Sequence, residues 1–310
     1  MSEHDEVIIE ARSLSKWFGE VVAVNNLDVT IRRGVTGLLG PNGAGKSTFM
    51  KLALGLYAPS RGYIRILGAS PRNNQATLRK IGYCPEIDKF YENMSGYEFV
   101  YWLSRYWGMG RKDADRATGA ACELVRMQER MHDPIDTYSK GMRQRIKIAQ
   151  ALSVRPELLF LDEPMTGLDP QGREEMYSLI NLLDDQGFSV VVSSHILYEV
   201  ERITNNVVLL YNGTILAQGE VRAIRDLIDE HPHTIRIESA APRALATHFV
   251  DDPKTISMEF ESELLTLKTQ DPNGCFQRLT GLAASNTESI HSITCSDDNL
   301  QSVFEYLVNK

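Results

Sequence analysis

The 310-residue chain lacks several features that define whole classes of protein. No apolar run approaches the roughly 20 residues that cross a bilayer, and the acidic N-terminus MSEHDEVIIE has neither the basic nor the apolar region of a signal peptide. A formal net charge of −8 argues against nonspecific binding to nucleic acid, which needs a basic face. We therefore expect a cytoplasmic protein that reaches a membrane only through a partner and has no nucleic-acid partner.

Cysteine is also scarce. The four cysteines, Cys84, Cys122, Cys275 and Cys295, are scattered along the chain. They show neither the paired spacing of a zinc site nor the density of a disulfide framework. This distribution is typical of reduced thiols in a cytoplasmic protein.

Short apolar runs are abundant between residues 35 and 195. VTGLLG (35–40), ELLFLDEP (157–164) and FSVVVSSH (188–195) are each followed by a helix-type segment, a pattern that indicates parallel strands buried on both faces. Asn212-Gly213 between two apolar runs predicts a hairpin. The stretch from about Phe90 to Ala151 is helical and aromatic-rich, and we expect most aromatic side chains of residues 91–107 to lie in a core.

The pattern changes after Gly219. A connecting helix is predicted over 221–231, and the order β-α-β-β-α-β follows over 233–295, before a last helix over 299–308. That order is typical of ferredoxin-like domains. The sequence therefore predicts one α/β domain over 1–220 and a small α+β domain over 221–310.

The segment from Gly40 to Ser47 reads G-x-x-x-x-G-K-S, with an apolar strand before it and a helix after it. Glycines let the backbone N–H groups turn toward phosphate oxygens, and the helix adds its positive dipole end. The lysine reaches the β- and γ-phosphates, and the serine hydroxyl can hold Mg²⁺. The residues expected to bind a nucleotide here are Gly40, Asn42, Gly43, Gly45, Lys46, Ser47 and Thr48.

Acidic residues and a histidine end two other apolar strands. Asp162 is expected to hold Mg²⁺, and Glu163 is the candidate general base for an attacking water. His195 could bind the γ-phosphate and orient that water, and Asp169 could position groups across an interface. Taken alone, an acidic pair after a strand is often a solvated loop, and a lone histidine is often structural.

Four motifs together resemble the nucleotide-binding subunit of ABC transporters: GPNGAGKS, YSKGMRQR, LFLDEPMTGLDP and SSH, in this order. The segment GYCPE, together with YSKGMRQR and the extra C-terminal domain, resembles the ABC-2-type exporter group in particular. The resemblance implies ATP and Mg²⁺ as ligands. It implies separate integral-membrane permease subunits as partners, with peripheral attachment at the cytoplasmic face. It also implies a RecA-like core with an antiparallel β subdomain and a helical subdomain over about 88–151.

The resemblance further implies that two copies of the ATPase pair head to tail. Ser139 and Gly141 of one chain would then cap the γ-phosphate held by the other chain. Ser139 could equally serve as a helix cap, and both roles are compatible. The family also places an aromatic residue against adenine, for which Phe18 is the better match and Trp17 the second.

Two segments depart from the family pattern. Glu86 stands where glutamine is usual, and is expected to sense Mg²⁺ and water or to serve coupling to the membrane partner. Lys140 and Met142 replace a glycine and a glutamine in the signature segment, and Lys140 could lie near the partner's phosphates or be solvated. Two other functions stay open: a non-transport ABC ATPase, and a regulatory module switched by ATP without rapid turnover.

Overall fold

The computed structural model describes residues 6–221, 233–285 and 289–295. The chain divides into two compact units, and the division falls between Gly219 and Glu220. Buried apolar clusters lie within each unit, as is usual for domains. The helix predicted over 221–231 lies, apart from Val221, outside the described residues, and so does the helix predicted over 299–308.

The first unit alternates strands and helices along its length. Its strands are β1 Val7–Phe18, β2 Val21–Arg32, β3 Val35–Leu39, β4 Arg61–Ile66, β5 Ile81–Cys84, β6 Leu158–Leu161, β7 Ser189–Ser194, β8 Asn206–Tyr211 and β9 Thr214–Glu220. Its helices are α1 Lys46–Ala53, α2 Gln75–Leu78, α3 Gly96–Tyr106, α4 Arg111–Leu124, α5 Lys140–Leu152, α6 Pro170–Asp185 and α7 Leu197–Glu201, with a 3₁₀ turn at Ile135–Thr137.

A six-stranded sheet with the order β5-β6-β7-β3-β8-β9 forms the centre of this unit. The pairs β5–β6, β6–β7, β7–β3 and β3–β8 are parallel. Every residue of β3, β6 and β7 is buried, which confirms the prediction of parallel strands covered on both faces. Asn212 and Gly213 both have positive φ between β8 and β9, as a tight hairpin turn requires.

A second, antiparallel sheet has the order β2-β1-β4. One apolar cluster joins it to the central sheet through α1, with Leu14, Leu38, Phe49 and Phe160 among its fully buried members. Helix α1 ends at Ala53, and the chain then turns at Gly55 with a φ of +67°. This packing holds the loop before α1 against the central sheet.

Helices α3, α4 and α5 pack together around a second apolar cluster. Most aromatic side chains of residues 91–107 do not lie in that core, so this part of the prediction was wrong, although Phe99 packs against the cluster. Tyr91, Trp102, Tyr106 and Trp107 are exposed, and the other aromatic side chains are only half-buried. On α3 the positions that face inward are Gly96, Val100 and Ser104. None of the helices in the described residues is long and apolar enough to cross a bilayer.

The second unit contains β10 His233–Ser239, α8 Pro242–Thr247, β11 Thr255–Glu261, β12 Leu264–Thr269, α9 Pro272–Ala284 and β13 Ile290–Cys295. Its sheet has the order β11-β12-β10-β13, and all three pairs are antiparallel. Alternate residues of β10, including Ile235 and Ile237, are buried beneath the helices with Leu245 and Phe249. The element order and the sheet order are those of a ferredoxin-like domain.

Candidate active site

Three loops meet at the carboxyl edge of the central sheet. The glycine loop follows β3, Asp162 and Glu163 follow β6, and His195 follows β7. These strands are neighbours in the order β6-β7-β3, so the residues that follow them are brought side by side. Ligands of open parallel sheets bind at this edge.

The glycine loop turns through positive φ values at Gly43 and Gly45, of +84° and +105°. A Cβ at Gly45 would lie 2.6 Å from the carbonyl oxygen of Ala23, so no side chain fits there. Helix α1 begins directly afterwards at Lys46, and no side chain caps its first turn. Its first N–H groups are therefore available to an anion.

Lys46 is nearly buried, with 6% of its side chain exposed. Its ammonium donates to the carbonyl oxygen of Gly40 at 2.6 Å and lies 3.3 Å from that of Pro41. The same Nζ lies 3.2 Å from Oε1 of Glu163. A buried cation needs such oxygen partners, and the result is a positive charge held beside the glycine loop.

Asp162 is buried and surrounded by hydroxyl groups. Ser193 donates to its Oδ1 at 2.7 Å, Ser47 lies 3.5 Å from the same oxygen, and the Tyr83 hydroxyl lies 3.4 Å from Oδ2. Burial and the charge of Asp162 raise the pKa of Tyr83, which keeps that phenol a donor. The Ser47 hydroxyl and the Asp162 carboxylate form a pair of hard oxygen donors, the type that Mg²⁺ prefers.

Glu163 has a φ of +48°, a backbone conformation that is strained for a residue with a side chain. Its N–H donates to Oγ of Ser193 at 2.8 Å, and its Oε2 lies 2.9 Å from Nδ1 of His195. The hydroxyl of Thr166 lies 3.5 Å from the same oxygen. Oε1 is buried and accepts no hydrogen bond from the described residues, although Lys46 is its ionic neighbour. The carboxylate is thus held through Oε2, while Oε1 has an ionic contact with Lys46 but accepts no hydrogen bond from the described residues.

A cleft of roughly 420 Å³ is lined by Lys46, Ser47, Glu163 and His195, and Asp162 adjoins it through its contact with Ser47. Glu86 lines its mouth, is exposed, and makes no hydrogen bond or ion pair through its side chain with the described residues. The lining residues are Val21, Val22, Ala23, Pro41, Asn42, Gly43, Ala44, Gly45, Lys46, Ser47, Thr48, Glu86, Glu163, Thr166 and His195.

Comparison with known proteins decides the family. A model of the ABC transporter family matches residues 24–166. The Nod factor export ATP-binding protein I of Rhizobium sp. (strain N33) is 32% identical over 282 residues, which are 90% of this chain and 91% of that protein. The chain belongs to the ABC transporter ATP-binding family. As a member of this family it is an ATP-binding and ATP-hydrolysing chain.

Two further comparisons agree with this assignment to the ABC family. An uncharacterized ABC transporter ATP-binding protein of Synechocystis sp. is 36% identical over 227 residues, which are 70% of this chain and 64% of that protein, slightly below two thirds. A solved ATP-binding subunit of an ABC transporter superposes with a TM-score of 0.63 at 29% identity, covering 71% of this chain and 93% of its own.

Five of the predicted nucleotide-contacting residues of this ABC chain do not line the cleft: Phe18, Gly40, Ser139, Gly141 and Asp169. Phe18 ends β1 and is 42% exposed. Its ring makes an edge contact with Tyr57 at 5.1 Å between centroids, and Lys16 Nζ lies 5.0 Å from its centroid. The ring is therefore packed against neighbours and only partly accessible.

The signature segment of the ABC chain begins α5. Ser139 is exposed and caps this helix, with its Oγ accepting from the N–H of Met142 at 3.3 Å. Asp169 is likewise exposed and caps α6 through the N–H of Gly172 at 3.0 Å. Lys140 crosses over Gly167, where a Cβ would collide with its side chain. Both capping residues are exposed and neither lines the chain's own cleft.

Sequence reasoning missed Ser193 and Tyr83, which contact Asp162. One signal was available for Ser193, because it is a hydroxyl side chain in a strand, SVVVSS, that is buried throughout and ends at the active edge. A buried serine in such a strand needs a hydrogen-bond partner. Tyr83 carried no comparable signal, since an aromatic residue in an edge strand is ordinary packing.

Proposed function

We propose that this chain is the ATP-hydrolysing subunit of a membrane exporter of the ABC-2 type. The observation that carries the proposal is that Lys46 and Glu163 form an ion pair in the lining of one cleft beside the glycine loop, while the buried Asp162 adjoins the cleft residue Ser47. A cation next to free helix N–H groups suits polyphosphate. Two adjacent carboxylates held by different partners suit a division into metal ligand and base.

The loop and the start of α1 would bind the phosphates. The N–H groups at Gly43, Gly45 and Lys46 would face phosphate oxygens, and the Lys46 ammonium would exchange its contacts with Gly40 and Glu163 for the β- and γ-phosphates. Ser47 and Asp162 would hold Mg²⁺ with their two oxygens. Bound Mg²⁺ supplies positive charge against the negative charge that develops on the phosphate oxygens.

Glu163 would be the general base. Its Oε1 is buried and lacks a hydrogen-bond donor, so it is suited to accept the proton of a water that attacks the terminal phosphorus. His195 holds the other carboxylate oxygen at 2.9 Å, and Ser193 holds the backbone. These contacts fix the carboxylate so that little reorganisation is needed on reaction. Glu86, at the cleft mouth, would contact the water or the metal.

A second copy of the chain, or a homologous ATPase subunit, would complete the site. The exposed Ser139 and Asp169 and the half-buried Gly141 do not line the cleft of their own chain, which supports a role at the cleft of the other chain. ATP binding would close this dimer and hydrolysis would reopen it. Phe18 would contact adenine at the outer end of the cleft, and Lys140 would add positive charge at the interface.

Separate integral-membrane permease subunits would attach the ATPase to the cytoplasmic face of a membrane. A groove of roughly 380 Å³ beside the β5 edge suits a cytoplasmic helix of such a subunit, because most of its lining is apolar. Leu56 and Trp107 are its exposed apolar residues, and Pro85 joins it to Glu86. The export role is supported by the similarity to the Rhizobium relative, which is a Nod factor export ATP-binding protein.

The proposal is tested by two substitutions in the cleft. Glu163→Gln should bind ATP with Mg²⁺ but hydrolyse it about 10²- to 10⁴-fold more slowly, because the base is lost while phosphate contacts remain. Lys46→Ala should weaken nucleotide binding itself, because the cation facing the phosphates is gone. Phosphate release and fluorescent-nucleotide titration measure the two effects.

Glu123→Gln is the matched control for these substitutions, because Glu123 is an exposed acid on α4 away from the cleft. It should behave as the wild type in both assays. A Glu163→Gln protein with wild-type turnover would remove Glu163 from the mechanism.

A further inference from the structure

Lys147 is a buried cation outside the cleft. It lies in the middle of α5, with 6% of its side chain exposed. Removing an ammonium group from water is costly unless oxygen atoms replace the lost hydration. Its burial therefore calls for a specific set of partners.

Three oxygens surround the Lys147 ammonium. Nζ donates to the backbone carbonyls of Pro85 at 3.0 Å and Glu86 at 3.1 Å, and it lies 2.6 Å from Oδ1 of Asp88. An ammonium group has three N–H donors, and the three oxygen partners of Lys147 all belong to residues 85–88. That segment leaves β5 and carries Glu86 to the mouth of the cleft.

Two other side chains on the same face of α5 contact residues before and after Pro85–Asp88 in the sequence. Gln144 Nε2 lies 3.6 Å from Sγ of Cys84, and Arg143 makes two bonds to the carboxylate of Glu92, at 2.7 and 2.8 Å. We call residues 84–92 the strap. Arg143 also holds the pKa of Glu92 below its usual range, which keeps this contact ionic.

The strap is also hydrogen-bonded to Asp162, the proposed metal ligand. The carbonyl oxygen of Cys84 accepts from the N–H of Asp162 at 2.9 Å. Lys147 binds the next two carbonyls of the chain. The backbone of Glu86 is therefore held between β6 and α5, while its side chain is left without partners among the described residues.

From this geometry we infer that Lys147 is a positioning residue: its ammonium clamps the backbone at Glu86 so that the Glu86 carboxylate stays at the cleft mouth. The inference rests on the proposed function of the cleft. It adds that α5, which begins with the signature serine, sets the position of Glu86 through a charged contact. A movement of α5 would then move Glu86 with it.

The test compares kinetics of Lys147→Met with those of the wild type. Methionine keeps most of the side-chain volume and removes the donors. We expect kcat for ATP hydrolysis to fall roughly 10- to 100-fold, as is usual when a reacting group is misplaced by about 1 Å. The KM for ATP and the affinity for a fluorescent nucleotide should stay close to wild type, because the glycine loop is untouched. A double variant, Lys147→Met with Asp88→Asn, avoids an unpaired carboxylate and should lose the same activity.

The decisive measurement repeats Lys147→Met in a Glu86→Ala background. If Lys147 acts through Glu86, the second substitution adds little further loss, because coupled residues are not additive. Arg145→Met is the control, since Arg145 lies on the same helix and pairs instead with Glu175 of α6. It should keep wild-type kcat.

Four results would overturn the inference. They are wild-type kcat in Lys147→Met, wild-type kcat in Glu86→Ala, losses that multiply fully in the combined variant, and a parallel loss of nucleotide affinity. A wild-type protein that neither binds nor hydrolyses ATP would instead overturn the proposed function, and this inference with it. That outcome is distinguishable because it is seen without any substitution.

Discussion

Replacing Ser193 by alanine tests how the two carboxylates are held. The Ser193 side chain is fully buried, donates to Asp162 at 2.7 Å and accepts from the N–H of Glu163 at 2.8 Å. The substitution removes a hydrogen bond to a charged acceptor and leaves a buried N–H without a partner. Together these losses should lower the free energy of unfolding by about 2–5 kcal/mol.

The chain contains a matched control on the same strand. Ser189 is also fully buried on β7, and its hydroxyl has no hydrogen-bond partner among the described residues. Because an unpartnered buried hydroxyl contributes nothing to hold the fold, Ser189→Ala should change the free energy of unfolding by no more than about 1 kcal/mol.

Urea denaturation followed by tryptophan fluorescence measures both variants. The three tryptophans, Trp17, Trp102 and Trp107, all lie in the first unit, so the signal reports on that unit. Ser193→Ala should also reduce kcat, since the positive φ of Glu163 loses a bond that stabilises it. Equal destabilisation of the two serine variants would refute the reasoning, because it would make the Ser193 contacts energetically irrelevant.

Two further predictions concern the partners. Lys46→Ala and Ser139→Arg should each abolish ATP-driven dimer closure, and mixing the two proteins should restore part of it, because roughly half of randomly paired dimers then contain one intact composite site. ATP-dependent dimer mass in a Glu163→Gln background measures closure, and no recovery on mixing would contradict the trans arrangement. Leu56→Glu should reduce the amount of integral-membrane protein that co-purifies from detergent extracts while basal ATPase is kept, because Leu56 is an exposed apolar residue of the docking groove. Val250→Glu, an exposed apolar residue of the second unit, is its control, and equal co-purification of both variants would place the docking surface elsewhere.

Charge reversal at Glu92 or Glu98, two exposed acids near Glu86 in the chain, would be an unsuitable probe of docking for a structural reason. Glu98 accepts from the N–H of Ser95 in a capping box at the start of α3, and these bonds lower its pKa. Glu92 is bound by both guanidinium nitrogens of Arg143. Reversing either charge would disturb α3 or the strap directly, whatever the docking surface is.

Site residues whose roles depend on the local backbone conformation could be identified from the sequence. The glycine loop, Lys46 and Ser47 lie within eight consecutive residues, and their roles follow from a local turn and a helix start. Asp162 and Glu163 could be placed because they follow a fully apolar strand, and His195 because it follows a strand with a run of three valines; parallel strands present their carboxyl ends at one edge. Periodicity also predicted the β-α-β-β-α-β order of the second unit.

The tertiary structure alone decided which distant groups meet. Ser193 lies 31 residues from Asp162, and Lys147 lies 62 residues from Pro85, and no local pattern links either pair. The exposure of Trp102 and Tyr106 was likewise undetermined, because a helix pattern shows which side chains are apolar but not which face a neighbour covers. These contacts depend on how α5 and the strands pack against each other, and that packing is set by the whole set of buried surfaces rather than by any segment of the sequence.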